Sequence, residues 1–252
     1  MNNLGRLGFR LVRQVKAFNS FFRFIGHLAY CIYLVIARKA PLPKKNILKI
    51  VYCSGAKLAI PLYLFFAIIS YLLINNSFQF LNMLHIKNQA IALFQNLVSR
   101  EIVPASLAIF LCIHSALDMI SHKVDKIEHA AHYALIEKVL PLMVGTLLSA
   151  ILLYFYCLSA CLLGLYIAYV EIVHLSFQEF LISMSDAISF SDLIFSIERT
   201  LFFASIASML VAYYYYRKAS QRISLRVCVS RIITRGFTWI AVAVMYVNLL
   251  GK

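Results

Sequence analysis

Residues 139–170 pass 32 positions without one charged side chain. A helix of that length rises about 48 Å at 1.5 Å per residue, while the hydrocarbon core of a bilayer is about 30 Å thick. No soluble domain of ordinary size could surround such a rod with apolar protein, so lipid has to be the solvent. The rest of the chain agrees: of 252 residues, 62% are hydrophobic and only 13% charged, which excludes a water-soluble globular domain and a disordered chain alike. The fold class expected is all-α, a polytopic integral membrane protein.

Charge then sets the topology. Residues 1–57 hold eleven Lys or Arg, and residues 1–100 contain no Asp or Glu, which marks that end as cytoplasmic. Residues 171–192 carry Glu171, Glu179, Asp186 and Asp192 with no base, whereas residues 217–235 carry six bases and no acid. The acidic stretch is expected outside and the basic one inside, so the 139–170 run crosses once. The net charge of +14 is thereby read as a topology signal, not as a nucleic-acid surface, because the bases lie in two blocks beside apolar spans.

Five transmembrane helices are predicted, over residues 58–74, 89–113, 139–170, 193–216 and 229–249. Before them, Arg6, Arg10, Arg13 and Lys16 recur opposite Leu4, Leu7, Leu11, Val15, Phe18 and Phe22, the pattern of an amphipathic helix on the membrane surface. Residues 24–37 are uncharged but number only 14, too few for a span, and read as interfacial or re-entrant up to Pro41 and Pro43. The chain thus divides into a basic interfacial segment, 1–57, and a five-span domain, 58–249. The latter has a cytoplasmic loop at 114–138, a periplasmic loop at 171–192 and a basic cytoplasmic loop at 217–228. The N-terminus is expected inside and the C-terminus outside. No short apolar stretch near the basic N-terminus ends in a cleavage site, so the first span is expected in the mature protein. The four tyrosines from Tyr213 to Tyr216, and Trp239, read as interfacial aromatics.

Within the second span, Arg100 and Glu101 fall near the middle with Pro104 just beyond. Charge at that depth is expensive and marks pathways. Adjacent helical residues point about a hundred degrees apart, so the two cannot simply neutralise each other. Each needs another partner, whether a lipid phosphate, water, or a residue such as Glu198 or Arg199 of the fourth span.

Other chemistry is thin. No glycine-rich phosphate loop occurs, so this chain binds no nucleotide and no other cofactor, and any ATP is used by a partner subunit. His122, His129 and His132 share a loop with Asp125 and Glu128, but their spacing is loose and reads as a solvated face, not a metal site. Six cysteines without a C-x-x-C pair sit mostly in apolar runs and behave as small hydrophobes. No nucleophile lies beside a base, and no catalytic residue is assigned.

The order of these features resembles the MlaE (YrbE) family of ABC permeases. The local matches are SREIVP at 99–104, HSAL at 114–117 and SRIITRG at 230–236. The resemblance implies a permease that pairs with a second permease chain, identical or diverged, on cytoplasmic ABC ATPases. It also implies that phospholipid passes to or from a periplasmic MCE-domain protein across the bacterial inner membrane. Carried over residue by residue, it puts Arg100 and Glu101 beside the lipid cavity, with Phe78 and Ile74 near the outer end of the first span. Glu128 and His129 fall in the segment that touches the ATPase. The Asp-Pro that usually follows that segment is missing near 133–136, and a glycine-rich stretch before the last span has become residues 222–226. Two other readings compete: a scaffold anchoring a peripheral complex, and a lipid-modifying membrane enzyme built on the loop histidines.

Overall fold

Backbone in lipid must satisfy its own hydrogen bonds, and a chain whose apolar runs are separated by brief polar stretches does so by forming helices. The computed structural model describes residues 3–39, 41, 43–83, 95–121, 135–173, 177–187, 189–221 and 224–250, and every described element is helical. The helices are α1 (Asn3–Ile36), α2 (Lys44–Val51), α3 (Lys57–Met83), α4 (Val103–Ser121), α5 (Leu140–Val173), α6 (Phe177–Ala187), α7 (Phe190–Gln221) and α8 (Leu225–Leu250). Three wider π-helical turns, Tyr52–Ala56, Gln95–Ile102 and Leu135–Val139, lead into α3, α4 and α5.

Six stretches are long and apolar enough to cross a membrane: Phe18–Ile36, Lys44–Ser77, Val98–Met119, Ile136–Glu171, Phe190–Lys218 and Leu225–Leu249. The sixth candidate, relative to the five expected, comes from α1. The amphipathic stretch and the short run after it form one unbroken helix, because Arg23 does not interrupt it. A Schellman-type turn ends α1, with Arg38 N–H on Val35 O at 3.0 Å and Lys39 N–H on Leu34 O at 2.9 Å. Arg38 itself takes a left-handed φ of 55°, a place more often given to glycine. The helix therefore stops before Pro41.

Helix α5 is a single rod through the whole uncharged run, and α3, α7, α2 and α4 pack around it. It meets α3 along Ala160, Gly164 and Ala168, small residues one turn apart and all buried. A Cβ on Gly164 would run into the carbonyl oxygen of Ala67, so only glycine allows this approach. Ser70 uses the closeness to donate to Cys161 O at 2.7 Å. Near the other end, a Cβ on Gly145 would lie 2.7 Å from Ile50 Cγ2, so the Ile50 side chain of α2 seats against this glycine.

The stretch 171–192, expected as a loop, contains α6. Phe180 and Met184 of α6 pack on Ile74, Leu165, Ala168 and Tyr169, covering one end of α3 and α5. At the opposite end, Tyr213, Tyr214, Tyr215 and Tyr216 are all buried. Tyr213 and Tyr216 pack on α1 through Phe21, Phe24 and His27, Tyr214 lies beside Arg235 of α8 and Tyr215 borders α2 and α4, so the four rings are enclosed by helices and not presented as interfacial aromatics would be. Trp239 is exposed on α8, near the middle of the apolar stretch Leu225–Leu249.

Candidate functional site: a charged junction of α4 and α7

Pro104 governs the entry to α4. It has no N–H to give the carbonyl four residues back, that of Arg100, and an α-helical turn there would leave that oxygen bare. The chain answers with the wide turn over Gln95–Ile102 and with an outside donor: Arg199 Nη1 of α7 reaches Arg100 O at 3.3 Å. Wide turns of this kind are common at functional sites.

The Arg100 side chain is held by the same helix. Its Nη2 donates to Asp192 Oδ1, an ion pair with both side chains part-buried. Asp192 is aimed by a capping box: Ser189 Oγ accepts from Asp192 N–H at 3.3 Å, and the other carboxylate oxygen accepts from Ser189 N–H at 3.4 Å. The carboxylate thus sits at the positive end of the α7 dipole and beside a guanidinium. Two arginines and one aspartate tie the start of α4 to the first turns of α7.

Among the described residues Arg100 Nε is buried without a hydrogen-bond partner, although the guanidinium has donors to spare. Ser196, one turn along α7 from Asp192, and Tyr154 of α5 interact with each other. Their oxygens nevertheless lack a partner of good hydrogen-bond geometry. Among the described residues the junction thus leaves one guanidinium N–H and two hydroxyls able to donate to an anionic oxygen.

Among the described residues the apolar stretch of α4 runs from Val98 to Met119, and residues 89–94, the expected start of this span, lie outside them. Glu101 is part-buried and makes no hydrogen bond or ion pair with the described residues. Of the two partners foreseen on the fourth span, Arg199 is used through the backbone, while Glu198 is exposed. Asp192 was not foreseen as a partner, yet Ser189 and Asp192 spell an S-x-x-D helix start. Ile74 is 3% exposed and occupied with packing under α6, away from any surface of this chain. Phe78 lies in α3 with its side chain outside the described residues, and Glu128 and His129 lie outside them altogether.

A separate cavity of about 280 Å³ opens among the ends of α2, α4, α5 and α7, lined by Lys49, Cys53, Asp118, Glu137, Lys138 and Tyr215 among others. Its charges are of both signs. Asn46 of α2 bridges to Glu137 O at 3.1 Å beside it.

The profile of the family described as Permease MlaE matches residues 47–251, from α2 through α8. No curated protein matches the chain. A match over 205 of 252 residues takes in every helix that packs around α5, together with Arg100, Asp192 and Arg199. The chain is a multi-pass membrane protein that belongs to the MlaE permease family.

Proposed function

We propose that the chain is the membrane subunit of an ATP-driven phospholipid transporter. Hydrolysis then takes place on a separate cytoplasmic ABC ATPase, and lipid is exchanged with a periplasmic MCE-domain protein. A second permease chain completes the path across the bacterial inner membrane. The observation that carries this reading is the α4–α7 junction: inside a transport permease, Arg100 keeps a buried, unmatched donor beside an irregular turn. A lipid phosphate offers the acceptor, and a guanidinium meets it with paired N–H groups. Glu101 and Phe78 border the same path in this reading, and the segment with Glu128 and His129 meets the ATPase.

Five crossings accord with this role, α1 lying along the interface. Of the six candidate stretches, the one in α1 has the lowest mean hydropathy, 1.3, and the lowest burial, 17%, and the family match begins after it. Five crossings put a C-terminal tag and a cysteine introduced near residue 180 within reach of reagents added from outside. Protection of both from those reagents would show a different path through the membrane.

The functional test is transport itself. With ATPase and MCE partner present in vesicles, Arg100→Ala is expected to lower lipid movement and the lipid recovered with the complex at least tenfold. Arg199→Ala, which loses only a backbone contact, should lower them less. An Arg100 variant that assembles and moves lipid as the parent does would make the junction purely structural.

A further inference from the structure

Positive charge gathers where α7 ends and α8 begins. Arg217 and Lys218 stand near the end of α7, and Arg226, Arg231 and Arg235 follow on α8. Arg231 and Arg235 are four residues apart on one helical face, where like charges repel. Neither has a carboxylate within ion-pair distance among the described residues.

Two of these arginines lie near Tyr214, whose hydroxyl has no hydrogen-bond partner among the described residues. Arg235 Cζ lies 5.9 Å from the centre of the Tyr214 ring, and Arg231 also acts electrostatically on that residue. Tyr214 is 1% exposed, and its hydroxyl is buried without a hydrogen-bond partner. Two unneutralised guanidinium groups and one unmet donor therefore converge, and a single anion would satisfy all three.

The next turn of α8 says what kind of anion. Phe237 and Trp239 are exposed there and carry an apolar surface along α8 beyond the two arginines. A ligand lying across both turns must be anionic at one end and apolar along the rest. We propose that Arg231, Arg235 and the Tyr214 hydroxyl bind the phosphate of an anionic phospholipid in the leaflet at this end of the bundle, its chains lying along α8. Basic pockets between membrane helices recognise such headgroups. Tyr214 lies 22 residues along α7 from Asp192, about 33 Å at helical rise. This lipid is therefore a resident one, distinct from any lipid at Arg100, and its binding does not depend on transport.

The test uses the full chain in nanodiscs of phosphatidylcholine with or without phosphatidylglycerol, reading retained lipid by native mass spectrometry and stability by thermal unfolding. The parent should retain phosphatidylglycerol preferentially and melt higher in its presence. Each of Arg231→Gln and Arg235→Gln should weaken retention roughly fivefold, and Tyr214→Phe by a smaller factor without loss of charge. Arg231→Lys with Arg235→Lys preserves charge and folding and should retain lipid at an intermediate level. Equal retention of the two lipids by the parent, or unchanged preference in the Gln and Phe variants, overturns the proposal. So does protection by inorganic phosphate alone equal to that of the lipid. A double Gln variant that keeps its lipid preference but loses a copurifying protein would reassign the cluster to a protein partner.

Discussion

Helix α7 carries charge at both ends and treats the two differently. At its N-terminal end, Asp192, Arg199 and Arg100 are joined across helices, side chain to side chain and side chain to carbonyl. At its C-terminal end, four tyrosines lie buried between helices, and among the described residues no carboxylate neutralises the neighbouring arginines of α8. The difference follows from what is available locally. Pro104 exposes a carbonyl at one end, and only a charged donor on a long stem can reach it; at the other, α1 supplies rings and an imidazole that pack against phenols. Polar groups thus fasten the first end and aromatic packing the second, and the two should fail under different substitutions.

The largest effect is expected from Asp192→Arg, which places two guanidinium groups together in a part-buried site and removes the capping box. Unfolding in detergent should show a loss of about 2–4 kcal/mol. Exchanging the charges, with Arg100→Asp added, should recover part of it. An unchanged melting temperature in the single variant would mean that the pair contributes nothing to joining α4 to α7.

Arg199→Gln comes next, at about 1–2 kcal/mol for a lost bond from a charged donor. The mechanism is sharper than the magnitude: Pro104→Ala restores an N–H that can serve Arg100 O, so the same substitution in that background should cost much less. Equal costs in both backgrounds would separate Arg199 from the proline.

The smallest change belongs to the tyrosine end. His27 Nδ1 lies 2.9 Å from Tyr216 Oη, a polar tie between α1 and α7, and Tyr216→Phe removes it while leaving the ring. About 0.5–1.5 kcal/mol is the ordinary worth of such a bond. Protease protection of α1 should persist in this variant, since Phe24 and Tyr213 still pack. Release of α1 would make the hydrogen bond, not the rings, the fastening.

How far these ends could be read in the residues themselves differs as well. The uncharged run 139–170 gave α5 at once, because nothing but a helix satisfies that backbone in lipid. Its partner seam was harder: Ala160, Gly164 and Ala168 are small residues at four-residue spacing, a signal hidden when glycines are judged only as phosphate binders. Helix α6 was obscured by its acids, which speak of sidedness and not of backbone conformation. Counting Arg23 as a boundary cut α1 short, although a long stem lets one arginine remain in an apolar helix. Arg100 and Pro104 were recognisable as a site because charge and a helix breaker coincide in an apolar run. Which residue would answer Arg100 depended on how α4 and α7 lie against each other, and no local pattern contains that. The tyrosine run looked amphipathic at any one position; α1 on one side and the helices facing Tyr214 and Tyr215 on the others bury the four rings.

The turn at Tyr52–Ala56 sets the phase of what precedes it. A π turn holds one residue more than an α turn over nearly the same length, so α2 and α3 are out of step by one position of the helical wheel. Shortening the chain by one residue there would let the helix run on evenly and would turn α2 by about 100° about its axis. Asn46 would then swing away from Glu137 O, Ile50 would leave Gly145, and the exposed Leu48 would rotate from its present face. A deletion elsewhere in an apolar helix turns the flanking segment by the same angle but leaves a wide turn such as this one in place. At this point the length of the chain is fixed to the residue, and the five positions act as a vernier between the amphipathic α2 and the helix that follows.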